Sequence, residues 1–145
     1  MQSGSMVFTQ MNRVIFGHPA AQTISQEADR LGARRVFVLA SRTINSKTDE
    51  VEKVRKALGD RFAGVCDYMP AHSPRDAVVS CASAARDAGC DLLVTIGGGS
   101  VTDGGKVVTI RLEHDLKHPD DLEPFRSVVE NGMRVIPEFR APKVR

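Results

Sequence analysis

Residues 92–106, LLVTIGGGSVTDGGK, run from an apolar stretch into three consecutive glycines, a serine, and then Asp103 and Lys106. This combination suits anion binding by backbone. Residues without Cβ can take positive φ and let N–H groups approach a charged oxygen closely. A helix starting there would add about half a positive charge where a phosphate would sit. Gly97, Gly98, Gly99 and Ser100 are therefore candidate phosphate ligands. Asp103 and Lys106 lie one helical turn apart, so both can project to one side. Ser100 and Asp103 also have the spacing of a helix cap, which stabilises by about 1 kcal/mol and needs no ligand. The two roles are compatible. Gly104 and Gly105 fall in the first helical turns, where each costs about 1 kcal/mol relative to Ala. Small residues there fit close approach to a strand or a ligand.

Two standard nucleotide loops are excluded. G-x-G-x-x-G fails because position 102 is Thr. The P-loop fails because Ser100 stands where its first glycine is needed, and Val107 follows Lys106.

The elements that must position this stretch are readable from hydrophobic pattern. RVFVLA (35–40), FAGVCDYM (62–69) and DLLVTI (91–96) are short runs rich in aliphatic or aromatic residues. The outer two are nearly continuous, as in central strands of a parallel sheet covered on both faces. The middle run is less pure and belongs nearer an edge. Helical patterns lie at 19–33, 46–60 and 73–90, ending at or near Gly32, Gly59 and Gly89. Ser46/Asp49 and Ser73/Asp76 open the last two with the same S-x-x-D spacing as Ser100/Asp103, which reads as a capping box. Strands recur about every 28 residues, the length of a strand, a crossover helix and a return. The fold class is α/β: a doubly wound, mostly parallel sheet with right-handed crossovers. A short strand, RVIFG (13–17), is expected to precede it, with residues 1–12 as a tail or an edge strand. After Lys106 the helix runs on through VVTIRLE, Pro119 breaks it, and a polar helix follows from about Asp120. The tail MRVIPEFRAPKVR reads as a loop. A doubly wound domain would normally go on to another strand, so the chain is expected to be part of something longer.

Composition excludes several classes. The net charge is +2, with no basic stripe, one Tyr and no Trp, which argues against a nucleic-acid surface. No apolar run approaches the roughly 20 residues of a membrane helix. The N-terminus, MQSGSMVFTQMNR, lacks the apolar core of a signal peptide. The three cysteines, Cys66, Cys81 and Cys90, form no C-x-x-C pair, so reduced thiols in a cytoplasmic protein are expected. His114 and His118 have i,i+4 spacing, but Pro119 follows at once and no third metal ligand is near. His72 sits in the loop after a strand, on the ligand side of the sheet.

GGGSVTDGGK resembles the GGGSxxDxAK signature of the iron-containing alcohol dehydrogenases, a group that includes maleylacetate reductases and, more distantly, glycerol dehydrogenases and dehydroquinate synthases. VIFGHPAAQTISQEADRLGARRVFVLAS is similar to the opening of that family: a strand ending in Phe-Gly, a helix, Leu-Gly and the next strand. YMPAHSPRDAVVSCASAARDAGCDLLVTIGGGS is similar to its continuation, where a Pro-containing loop leads to the helix before the glycines. The resemblance covers most of residues 12–111.

The resemblance implies a Rossmann-like N-terminal domain over residues 13–145 that binds NAD or NADP. Gly97, Gly98, Gly99 and Ser100 would cradle the pyrophosphate, with Asp103 and Lys106 near the ribose and nicotinamide, and Pro70 bordering the cofactor. Two departures stand out. Gly105 replaces the family's Ala, and LASRTIN lacks the Asp that many NAD-specific members carry after the first nucleotide-fold strand. Ser41 and Thr43 remain to bond ribose hydroxyls, and Arg42 to pair with a 2′-phosphate. The family holds Fe²⁺ or Zn²⁺ with one Asp and three His of a second, helical domain. This chain ends before that domain, so no catalytic residue and no metal ligand carries over, and the metal is expected only in a full-length member. The implied activity is hydride transfer between nicotinamide and an alcohol or carbonyl substrate, maleylacetate reduction included. The alternative is a free-standing nucleotide- or phosphate-binding module without catalysis. Expected partners are a small-molecule substrate and a second copy of the chain, a homodimer joined through residues 6–16, with neither nucleic acid nor membrane.

Overall fold

The three apolar runs fold into three parallel strands. The computed structural model describes residues 12–130, 132–135, 137 and 144. β1 (Val36–Ala40) is central, flanked by β2 (Phe62–Cys66) and β3 (Leu92–Ile96). Val36 to Ala40 pair in register with Leu92 to Ile96. On the other side the register shifts between Val36 and Phe37, and then Phe37, Val38 and Leu39 face Gly64, Val65 and Cys66.

Among the described residues five α-helices pack around the sheet: α1 (Ala20–Leu31), α2 (Arg42–Lys47), α3 (Glu50–Leu58), α4 (Arg75–Asp87) and α5 (Gly99–His114). Val36, Val38 and Ala40 point into a core shared with Ala28 of α1 and Val51, Val54 and Leu58 of α3. Phe37 and Leu39 point into the opposite core, with Val78, Ala82 and Ala85 of α4 and Val101 and Val108 of α5. A strand buried on both faces has no polar side to show, hence the unbroken run RVFVLA. The Asp91 carboxylate accepts from the backbone N–H groups of Arg34 and Arg35, each at 2.9 Å, and so ties the entrance of β3 to that of β1.

Glycine 105 sets how close α5 lies to the sheet. A Cβ built there would stand 2.5 Å from Cγ2 of Thr95 on β3. The Thr95 methyl thus fills the space that an alanine would otherwise take. At its far end α5 is closed by Arg111, which is 1% exposed and donates to the carbonyls of Leu116 at 2.7 Å and His118 at 2.8 Å. The His114 ring packs on Phe125, with centroids 4.4 Å apart.

Several expectations are corrected. RVIFG forms no strand: among the described residues no strand pairs with it, and Val14 and Phe16 are 69% and 87% exposed. Residues 1–11, and with them most of the expected edge segment, lie outside the described residues. The single helix expected over 46–60 is two, α2 and α3, because Thr48 is extended and its hydroxyl bonds back to the Ile44 carbonyl at 2.6 Å. The polar helix expected from Asp120 is a 3-10 stretch, Pro119–Phe125. β4 (Val128–Glu130), in the stretch expected to be helical, and β5 (Met133–Val135), at the start of the expected terminal loop, form an antiparallel hairpin turning at Gly132 with φ 77°. Residues 136, 138–143 and 145 lie outside the described residues. Among the described residues β3, expected to be central, is an edge strand.

The cysteines also differ. Cys66 at the end of β2 and Cys81 in α4 are fully buried and joined as a disulfide, with Cα atoms 5.9 Å apart. An odd count cannot reveal this pairing, which depends on the face that α4 turns to β2. Cys90 is free, and burial, with a smaller contribution from Asp91, pushes its thiol up to about 11.

Gly105→Ala should lower stability by about 1 kcal/mol in urea unfolding, since overpacking of about 1–3 kcal/mol outweighs a helix-propensity gain of about 1 kcal/mol. Thr95→Ser in the same chain should restore it. Thiol titration of the unfolded, unreduced chain should count one group, and three after reduction. In the folded chain Cys90 should react slowly near neutral pH, because its thiolate becomes abundant only as pH nears about 11. Three titratable thiols without reductant would contradict the pairing.

Candidate functional site

The chain passes from β1 to β2 on one side of the sheet and to β3 on the other, so the winding reverses between β1 and β3. In doubly wound sheets the crevice beyond the carboxyl ends at such a point is where ligands bind. The turns after β1 and β3 meet there, joined by a hydrogen bond from Ser41 N–H to the Ile96 carbonyl at 2.9 Å.

The glycine triplet divides into two roles. A Cβ on Gly97 would sit 2.9 Å from Val101 Cγ2 and 3.3 Å from Ser41 Cβ. Gly97 therefore lets the two turns pack. Gly98 and Gly99 have nothing within 4 Å of a built Cβ. They leave open space over the start of a 16-residue helix. None of the three has positive φ, so the left-handed backbone that such glycines permit is not their purpose here.

The helix-cap reading is corrected. Gly98 is the N-cap of α5, and its carbonyl accepts from Val101 N–H at 3.0 Å and Thr102 N–H at 3.2 Å. Ser100 is already inside the first turn. Its Oγ accepts from His72 N–H at 3.3 Å, and its carbonyl accepts from the Ser73 hydroxyl at 2.6 Å. Ser73 is therefore no cap for α4, whose N-cap is Pro74. Ser46 lies within α2, and Asp49 precedes α3 without a side-chain cap bond. All three S-x-x-D spacings fail as capping boxes because each helix starts elsewhere than the hydrophobic period suggests.

Asp103 and Lys106 do face one way, paired at 2.9 Å, and both are about two-thirds exposed on the second turn of α5. Ser41 caps α2, its Oγ accepting from Ile44 N–H at 3.2 Å, with Arg42 and Thr43 following in the exposed first turn. Arg42 and Pro70 line a pocket of about 210 Å³ with Asp67, Tyr68 and Met69. Asp67 is an acidic residue at this end of the sheet that pattern reading passed over, although a lone charge closing an apolar run was a signal. Asn45 Nδ2 donates to Asp67 Oδ2 at 2.9 Å, which joins the turn after β2 to α2. Met69 packs on Gly104, where a Cβ would stand 2.8 Å from its Cε.

Gly98 and Gly99 leave the N-terminus of α5 open, with no side chain of their own over it. A metal is another matter: among the described residues no three His, Cys, Asp or Glu side chains converge as a metal centre. His114 and His118 are separated by Asp115, which is left-handed at φ 53°, and so share no helix face. No helix among the described residues is long and apolar enough to cross a membrane.

Comparison with known proteins agrees with this geometry. Residues 11–138 match the sequence profile of the family described as iron-containing alcohol dehydrogenase. Maleylacetate reductase 2 of Cupriavidus pinatubonensis is 40% identical over 105 residues, a stretch covering 72% of this chain and 28% of that reductase. The crystal structure of maleylacetate reductase from a Rhizobium species superposes with a TM-score of 0.65 at 26% identity, over 96% of this chain and 40% of the other. In fold alone the chain also matches sulfoacetaldehyde reductase of Bifidobacterium kashiwanohense, solved in complex with NAD⁺, with a TM-score of 0.68 at 21% identity, over 81% of this chain and 31% of that one. The chain thus spans well under half the length of each of these relatives. With the glycine cradle at the reversal point of its sheet and a profile match across nearly its whole length, the chain belongs to the iron-containing alcohol dehydrogenase family.

Proposed function

We propose that this chain binds NAD or NADP as the cofactor-binding part of an oxidoreductase. The bound dinucleotide supplies hydride transfer between its nicotinamide and an alcohol, a carbonyl compound or maleylacetate. The carrying observation is the open space over Gly98 and Gly99 at the start of α5. There the N–H groups ahead of Val101 precede the first intrahelical bonds, and the helix dipole favours negative charge. The pyrophosphate belongs on Gly97, Gly98, Gly99 and Ser100, with Asp103 and Lys106 toward the ribose and nicotinamide. The adenosine end belongs in the pocket formed by Arg42, Asp67, Tyr68, Met69 and Pro70. Ser41 and Thr43, on either side of Arg42 in the chain, are the groups to meet ribose hydroxyls. Identity to a maleylacetate reductase supports the choice of that substrate for the whole protein. A second copy of the chain is the partner we expect, in the cytoplasm.

Gly98→Val tests the cradle without disturbing the fold. Gly98 has φ −84° and ψ −171°, extended backbone open to valine, and its Cβ would meet nothing. Calorimetry and ligand-observed NMR with NAD⁺ and NADPH should show binding to the chain that this variant weakens at least about tenfold, with an unchanged urea midpoint. Equal affinity in both chains would remove the cradle as the nucleotide site. Arg42→Ala should weaken NADPH by about tenfold while leaving NADH within about twofold, the pattern of a guanidinium on a 2′-phosphate. A loss shared equally by both cofactors would deny Arg42 that role.

A further inference from the structure

The loop between β2 and α4 has a feature that local sequence preference opposes. His72 and Ser73 are consecutive non-glycine residues with φ of 65° and 46°. Ser73 also precedes Pro74, and a proline biases the residue before it toward extended backbone. Paired left-handed residues are uncommon and persist where surrounding structure holds them. Ser73 N–H closes a turn onto the Pro70 carbonyl at 3.2 Å, and Ser100 holds both residues from α5. His72 N–H donates to Ser100 Oγ, and the Ser73 hydroxyl donates to the Ser100 carbonyl. The two bonds span 28 and 27 residues of sequence and grip one residue of the glycine loop by side chain and backbone together.

The consequence is directional. A serine hydroxyl has one proton and two lone pairs. Once Oγ accepts from His72 N–H, its own proton is left to donate elsewhere, and Ser100 follows directly on Gly98 and Gly99, whose built Cβ atoms would meet nothing within 4 Å. The Ser73 bond holds the Ser100 peptide in the first turn of α5, so the donor is set before an anion arrives. We infer that Ser73 is a positioning residue for the phosphate cradle, acting through Ser100 rather than by touching the nucleotide. Such pre-organisation lowers the ordering cost of binding. The inference rests on the cradle being the pyrophosphate site.

Ser73→Gly removes the hydroxyl while tolerating φ of 46° better than any other residue. The full chain is titrated by NMR with NAD⁺, which carries the pyrophosphate, and with adenosine, which does not. The expected result is a five- to tenfold loss for NAD⁺, about the worth of one hydrogen bond, and no change for adenosine. In a Ser100→Ala background the Ser73→Gly effect should largely vanish, since the two act as one unit. If wild type and Gly98→Val both fail to distinguish NAD⁺, the cradle reading falls and this inference with it. If wild type binds through the cradle and Ser73→Gly binds NAD⁺ as well, only the positioning role is overturned. Equal losses for NAD⁺ and adenosine, or full additivity with Ser100→Ala, would mean general structural damage and also overturn it. Should Ser73→Gly fail to fold, amide exchange decides: Ser100→Ala must speed exchange at the His72 N–H, and unchanged protection there would exclude the grip on Ser100.

Discussion

The close approach of α5 to β3 is the constraint on which the carboxyl end of this sheet depends. Gly105 carries no side chain against the Thr95 methyl, so the helix axis lies near the strand. Gly104 allows Met69 to pack on the same helix from the neighbouring loop. Gly97 then lets the turn out of β3 nest against Ser41 and Val101. Three glycines thus serve packing. The cost in helix propensity is offset by what the geometry permits: the start of a long helix sits flush with the end of the sheet, and its first turn is left facing outward.

Around that start the three carboxyl-end turns are joined. Ser41 bonds to Ile96, Asn45 to Asp67, and His72 and Ser73 to Ser100. Each bond links segments far apart in sequence, so the crevice is a product of the assembled sheet. Its electrostatics come mainly from backbone: N–H groups of a first helical turn and the helix dipole, with Arg42 at the neighbouring pocket. Asp103 and Lys106 neutralise each other at 2.9 Å on the outer face, so the cradle does not rely on either as a lone charge.

The opposite end of the molecule is held by different means. Asp91 fastens the entrances of β1 and β3, and Arg111 satisfies carbonyls beyond the last turn of α5. A buried guanidinium with backbone partners orders a polar stretch that has little apolar surface of its own. The β4–β5 hairpin beyond it leaves Val129 and Met133 over 70% exposed.

Much of this was legible in the residue pattern. RVFVLA, FAGVCDYM and DLLVTI announced three strands because burial on one or both faces demands apolar side chains. GGGSVTDGGK announced a strand passing into a helix through a tight glycine turn, because residues without Cβ allow that close approach. Helix ends marked by Gly32 and Gly89 were equally plain. What pattern could not carry was everything that depends on a partner distant in sequence. RVIFG had strand composition but no strand to pair with among the described residues. Ser46, Ser73 and Ser100 shared one spacing and met three fates, since a hydroxyl bonds whichever group the packed fold presents. Cys66 and Cys81 were separate letters until α4 turned one face to β2. Local chemistry reaches about one helical turn along the chain. The division of the glycines into packing and open positions, and the hold of Ser73 on Ser100, arise only when the sheet closes.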